Sequence, residues 1–117
     1  MDTPRLKLIE EVAKDVTIVE AYGRLDSTTA REFGDRLAAL VQAGRVSIVI
    51  DLKNIAYVSS AGFRVLLIAE RNAAEKQGKL ALCGVIGEVE RLFVIGKFTD
   101  QFLICQTQAD GVEKVRQ

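Results

Sequence analysis

A chain of 117 residues with 49% hydrophobic side chains has the size and material for one domain that buries roughly two-thirds of its unfolded surface. Its 16 basic and 16 acidic side chains leave no overall field, which argues against a general nucleic-acid or anionic-membrane binder. Histidine, the commonest general base and metal ligand, is absent, so no catalytic set, cofactor or metal site is expected.

No run approaches the roughly 20 apolar residues of a membrane span, and Met1-Asp2-Thr3-Pro4 lacks a signal-peptide core. A soluble cytoplasmic protein is the expectation. Leu6, Leu8 and Val12 precede Lys14-Asp15, and Val16 to Tyr22 follow with Thr17, Val19 and Ala21 alternating against Val16, Ile18 and Glu20. That pattern predicts two strands joined by a tight turn, the second closed by Gly23 to Asp26. Ala30, Phe33, Leu37, Leu40 and Val41 then recur at helical spacing, with Thr29 and Glu32 as a capping box and Gly44 as the stop.

The stretch from Val46 to Gly62 organises the chain. Ile48, Val49, Ile50 and Leu52 form a short, largely β-branched run that predicts a strand covered on both faces. Asp51 and Asn54 are expected to break it into a loop, and Ser59 or Ser60 offers a hydroxyl where the next helix begins. That helix, from about Ser60 to Gln77, is apolar nearly all round through Ala69 and then polar at Glu70, Arg71, Glu75 and Lys76, so its first half is buried or faces a partner. Gly78 ends it.

Lys79 to Cys83 gives a further short strand, and Val89, Leu92 and Phe93 make one face of a short helix ending near Gly96. Phe102 to Cys105 is the last predicted strand. Thr107 caps a final helix, with Asp110 three residues on and Ala109, Val112 and Val115 as its inner stripe. Cys83 and Cys105 both lie in apolar strand runs and read as buried free thiols, without zinc spacing. The polar ends, Met1 to Arg5 and Lys114 to Gln117, are expected to fray. The resulting order, ββαβαβαβα, makes an α/β protein with a largely parallel or mixed sheet, and no internal repeat or linker divides it.

The sharpest chemistry lies in Ser59-Ser60-Ala61-Gly62. A helix start exposes N–H donors and the positive end of the peptide dipoles, so a phosphate added there would be received. The alternative is a serine that merely caps the helix, with Gly62 permitting close packing. Asp51, with no histidine or second acidic residue nearby in sequence, reads as a brace rather than a catalytic acid. Gly84-Val85-Ile86-Gly87 is no phosphate loop and Gly-x-x-x-x-Gly-Lys is missing, which weighs against a nucleotide-binding enzyme.

The segment Ile48-Val49-Ile50-Asp51-Leu52 through Tyr57-Val58-Ser59-Ser60-Ala61-Gly62-Phe63 resembles the signature of STAS domains, specifically the bacterial anti-sigma factor antagonists. Gly23-Arg24-Leu25-Asp26 resembles that family's Gly-x-Leu-Asp, and Gly87 to Phe93 with Gly96 resembles its short third helix, so the likeness covers most of the chain. The resemblance implies one STAS domain over residues 1–117, a central mixed sheet with helices mainly on one face. It also implies partner switching: the chain binds an anti-sigma serine kinase when unphosphorylated, is released when phosphorylated, and is restored by a PP2C-type phosphatase. ATP and magnesium would belong to the kinase, the chain itself being no enzyme and touching neither nucleic acid nor membrane. A rival within the family is an unphosphorylated scaffold module of a larger signalling or lipid-transport assembly.

In that family the central motif is commonly Asp-Ser-Ser/Thr-Gly, its first serine being the phosphoacceptor. Alignment on Gly62 gives that position to Ser60, with Ser59 replacing the aspartate and standing as the alternative acceptor. The implied partner-binding set is Asp26, Ser59, Ser60, Gly62, Phe63 and Arg64. Asp26 matches a family aspartate facing the helix entrance, and its other reading is a turn or pre-helix cap. Phe63 and Arg64 stand where the family usually has Leu-Gly; the first fits a core and the second a rim.

Overall fold

The computed structural model describes residues 5–117. Strands β1 (Leu6–Ala13) and β2 (Val16–Leu25) form an antiparallel hairpin. Its two-residue turn, Lys14 and Asp15, has both φ positive at 52° and 69°, the mirror-type turn that follows strand twist. Then come α1 (Ala30–Gln42), β3 (Ser47–Val58), α2 (Ser60–Glu75), β4 (Lys79–Cys83), α3 (Gly87–Ile95), a 3₁₀ turn (Thr99–Gln101), β5 (Leu103–Cys105) and α4 (Gln108–Val115). The sheet order is β1-β2-β3-β4-β5, with every pair after the hairpin parallel. This is the mixed sheet and the ββαβαβαβα order that the periodicities predict.

Alternation along β3 separates two cores. Ile48, Ile50 and Leu52 face α1, α2 and α3, where Phe33, Leu37, Phe63, Leu66, Val89 and Phe93 close the main cluster. Val49 faces the other way, onto Val112 and Val115 of α4 with Ala81 and Cys83 beside it. Three helices thus lie on one face and one on the other. Each fully buried side chain of this size contributes about 1.5–3 kcal/mol, which is why the doubly covered β3 anchors the sheet. α1 ends in a Schellman turn: Gly44, at φ +88°, lets Arg45 N–H reach the Leu40 carbonyl at 2.8 Å.

Four local expectations need correction. β3 does not stop at Asp51 to Asn54; it runs to Val58, because β2 continues to pair with it through Tyr22↔Asn54, Gly23↔Ile55, Arg24↔Tyr57 and Leu25↔Val58, with register shifts absorbing the extra residues. Ala109 is exposed, and α4 instead turns Gly111, Val112 and Val115 inward. Cys105 is only half-buried, since β5 is a three-residue edge strand. At the C-terminus Lys114 and Val115 belong to α4, and Val115 packs into the second core rather than fraying. The expected fraying and the lack of a signal sequence at Met1 to Pro4 lie outside the described residues. No described helix is long and apolar enough to cross a membrane.

Candidate functional site

The parallel ends of β2 and β3 bring two distant segments together. Arg24 pairs with Tyr57 and Leu25 with Val58, and Ser59 N–H donates to the Leu25 carbonyl at 2.8 Å. Gly-Arg-Leu-Asp and Ser-Ser-Ala-Gly therefore meet at the carboxyl ends of the strands, the usual place for sites in such sheets. Gly62 sets how closely α2 approaches. A Cβ there would lie 2.8 Å from the Leu25 carbonyl oxygen and 3.0 Å from Val58 Cγ1, so any side chain would push the helix off the strand ends.

Ser59 is the N-cap of α2, in an extended conformation (φ −88°, ψ 175°), and its Oγ accepts the Gly62 N–H at 3.3 Å. A serine thus supplies the cap acceptor at the place where the resembled motif carries aspartate. Ser60, the first helical residue, is exposed. The N–H groups of Ser60 and Ala61 belong to the opening turn, where no intrahelical carbonyl is available. Ser59 is turned inward onto its own helix and Ser60 outward.

Asp26 is half-buried. Its Oδ1 accepts from Thr28 Oγ1 at 2.7 Å, Thr28 N at 3.0 Å and Thr29 N at 3.2 Å, and these bonds, the Thr28 hydroxyl foremost, hold the carboxyl below the ordinary carboxylate value. The Thr29–Glu32 capping box does not form, because Thr29 Oγ1 donates back to the Arg24 carbonyl at 2.7 Å and accepts Asp26 N–H at 3.0 Å. Asp26 has taken over that turn. Its second oxygen, Oδ2, lies 3.6 Å from Arg24 Nε, and the Arg24 guanidinium sits 4.7 Å from the Tyr57 ring centroid. Arg24 and Tyr57 are not marked in the sequence; Arg24 fills the free position of Gly-x-Leu-Asp, and only the strand register reveals the pair.

Arg64 is exposed on the first turn of α2, as a rim residue would be. Gly62 and Phe63, which also stand in the expected partner-binding set, are both buried. Phe63 stacks on Phe98 at 4.1 Å between centroids and meets Phe93 edge-on at 4.8 Å, so it ties the first turn of α2 to α3 and offers no side chain outward.

A second polar group lies under α4. Gln108 Nε2 donates to Glu20 Oε2 and to Asp51 Oδ2, each at 2.7 Å, while Asp51 Oδ1 accepts Lys53 N–H at 3.0 Å. Asp51, buried to 4% exposure, is the brace its sequence context suggests, fastening α4 to β2 and β3. The cleft around it, about 420 Å³, is also lined by Cys83, whose thiol burial pushes up to about 12. Among the described residues no three His, Cys, Asp or Glu side chains are grouped to hold a metal ion.

A family model described as the STAS domain matches residues 7–111. A candidate anti-sigma factor antagonist of Bordetella bronchiseptica, BtrV, is 31% identical over 103 residues, 88% of this chain and 89% of that protein. An anti-sigma factor antagonist from Mycobacterium paratuberculosis shares the fold at a TM-score of 0.82 and 21% identity over the whole of both chains. The Bacillus cell fate determinant SpoIIAA in its phosphorylated form shares it at a TM-score of 0.70 and 16% identity, over 95% of this chain and 99% of that one. With its sheet order, its helix placement and the motif at the start of α2, the chain belongs to the STAS domain family.

Proposed function

We propose that this chain is an anti-sigma factor antagonist working by partner switching in the bacterial cytoplasm. With Ser60 unmodified it binds an anti-sigma serine kinase; phosphorylation of Ser60 by that kinase releases it, and a PP2C-type phosphatase resets the cycle. The antagonist role has the support of the Bordetella relative and of the structural neighbours named as antagonists. The choice of serine rests on one observation: Ser60 is exposed at the first helical position while the Ser59 hydroxyl is engaged with Gly62 N–H.

The chemistry asked of the chain is modest. The kinase supplies ATP and magnesium, and the γ-phosphoryl passes to Ser60 Oγ, whose proton leaves to a base of the kinase. A phosphoserine carries about −1.5 to −2 charge, and at a helix start the dipole favours it by ~0.3–1 kcal/mol, so the fold tolerates it. At an interface the same group must lose water, which costs several kcal/mol, and each 1.4 kcal/mol weakens binding about tenfold. Asp26, Ser59, Ser60 and Arg64 form the surface the kinase reads, held from beneath by Gly62 and Phe63.

Incubation with the cognate kinase and labelled ATP, read by intact mass on the wild type, Ser60→Ala and Ser59→Ala, tests this reading. Loss of label only in Ser60→Ala is expected. Loss only in Ser59→Ala would move the acceptor, and no label on the wild type would favour the unphosphorylated scaffold instead.

A further inference from the structure

We propose that β1 is a dimerisation edge: two copies of this chain join antiparallel along it, with Ile9 opposite its own copy on the two-fold axis. β1 closes one side of the sheet and, among the described residues, pairs with β2 alone. Its register with β2 runs unbroken over 8 residues from Leu6 to Ala13, with no bulge, proline or glycine. A strand of that length with an open side presents a row of unpaired backbone groups, which edge strands usually hide by being short, bulged or covered. Arg5 turns its carbonyl inward, accepting Arg24 N–H at 2.9 Å. By the alternation of an antiparallel ladder Lys7, Ile9 and Glu11 also bond inward, so the N–H and C=O groups of Leu6, Leu8, Glu10 and Val12 point outward.

Few self-pairings satisfy these outward groups, because a slip of one residue would set them against groups already bonded to β2. With Ile9 opposite its own copy, Leu8 meets Glu10 and Leu6 meets Val12 in hydrogen-bonded pairs. Lys7 meets Glu11 in the closer, non-hydrogen-bonded pairs on the other face. The two-fold repeats each pairing, so a Lys7–Glu11 contact flanks Ile9 on both sides and no like charges face each other. Val12, 59% exposed in the single chain, is covered by the partner's Leu6, and Glu10 keeps its ion pair with Arg36. A shift of two residues one way stacks Glu10 on Glu10; the other way sets Lys7 against Ile9 and carries Val12 past the end of β1. The charges of this edge therefore select one register for a second copy. Leu6 pairs with Gly23 at the end of the sheet where α2 starts, so antiparallel joining sends the two Ser60 sites to opposite ends and leaves both open.

Sedimentation equilibrium over a concentration series tests this on the wild type, Lys7→Glu, Glu11→Lys and the double variant Lys7→Glu/Glu11→Lys. Both side chains are exposed, so the fold of the single chain tolerates the exchange. The wild type should dimerise. Each single reversal sets like charges opposite each other twice in the dimer and should weaken its Kd at least tenfold, and the double variant should recover it. Cysteine linking checks the register in a Cys105→Ala background. Opposed residues of a non-hydrogen-bonded pair lie about 4.5 Å apart between Cα atoms, within disulfide reach, so Ile9→Cys should join two copies on oxidation and Lys7→Cys should not. A wild type that stays monomeric up to about 1 mM, single reversals with an unchanged Kd, a double variant no better than the singles, or Lys7→Cys linking as readily as Ile9→Cys would overturn the assignment.

Discussion

Two helices of this domain start in the same way and lead to opposite chemistry. Ser59 caps α2 by accepting Gly62 N–H at 3.3 Å, and Thr107 caps α4 by accepting Asp110 N–H at 3.1 Å. After the first cap comes an exposed serine, with Arg24 at the neighbouring strand end and Arg64 on the same turn. After the second comes Gln108, turned inward onto Glu20 and Asp51, with Asp110 adding negative charge to the opening turn. An added phosphate would meet no acidic side chain in the opening turn of α2 and Asp110 in that of α4. A cap is therefore not a site; the charges and hydroxyls placed around it decide.

The comparison breaks most severely at Gly62. In Gly62→Val the added carbons meet the Leu25 backbone, which cannot yield as a side-chain end can, so α2 must move off the strand ends. Overpacking of this kind costs about 1–3 kcal/mol or more, and thermal melts should fall by several degrees with kinase binding lost alongside. A melt equal to the wild type would mean that α2 does not sit where Gly62 places it.

Gln108→Leu separates the two helix starts. It removes the donor shared by Glu20 and Asp51, leaving a buried carboxylate oxygen unpartnered at a cost of about 1–3 kcal/mol. Kinase affinity should scarcely change in the surviving folded protein. A parallel fall in affinity would tie α4 to the binding surface and contradict the separation.

Ser59→Ala and Thr107→Ala form a matched pair, each removing one N-cap acceptor worth about 1 kcal/mol. Chemical denaturation should give similar losses for both, whereas only the Ser59 variant should alter how readily Ser60 is labelled. Markedly unequal stability losses would show that the two caps are not equivalent.

The smallest effect at neutral pH lies beneath α4. An unfolded thiol begins to ionise near its ordinary value of about 8.5, while folded Cys83 stays protonated up to about 12. Its folded pKa is raised, so its contribution to stability is complete below the unfolded value and declines as pH climbs toward the folded one. Urea melts at pH 8 and pH 10 should therefore show a loss that Cys83→Ala reduces. Native Cys83 should also react slowly with thiol reagents, and half-buried Cys105 faster.

What the sequence reveals of this architecture is what is local. The apolar periods mark every main element, Gly44 marks the end of α1, and Ser-Ser-Ala-Gly marks the start of α2 because caps and close packing are written in adjacent residues. Contacts set by distant partners are hidden. The extension of β3 to Val58 depends on continued pairing with β2, and the Arg24–Tyr57 contact depends on that register. Gln108 finds Glu20 and Asp51 only once α4 crosses the back of the sheet. Thr29 and Glu32 satisfy the capping-box pattern, yet Asp26 has already claimed the amide of Thr29. Phe63 fits a core in the sequence, but the aromatic partners that bury it, Phe93 and Phe98, lie far along the chain and are not announced by its neighbours.

The most direct measurement compares kinase affinity and thermal melting for the unmodified protein and for protein carrying phosphoserine at position 60. Partner switching at Ser60 predicts nearly coincident melts and a Kd weakened at least tenfold by the phosphate. An unchanged Kd, or a fold that collapses on phosphorylation, would contradict it.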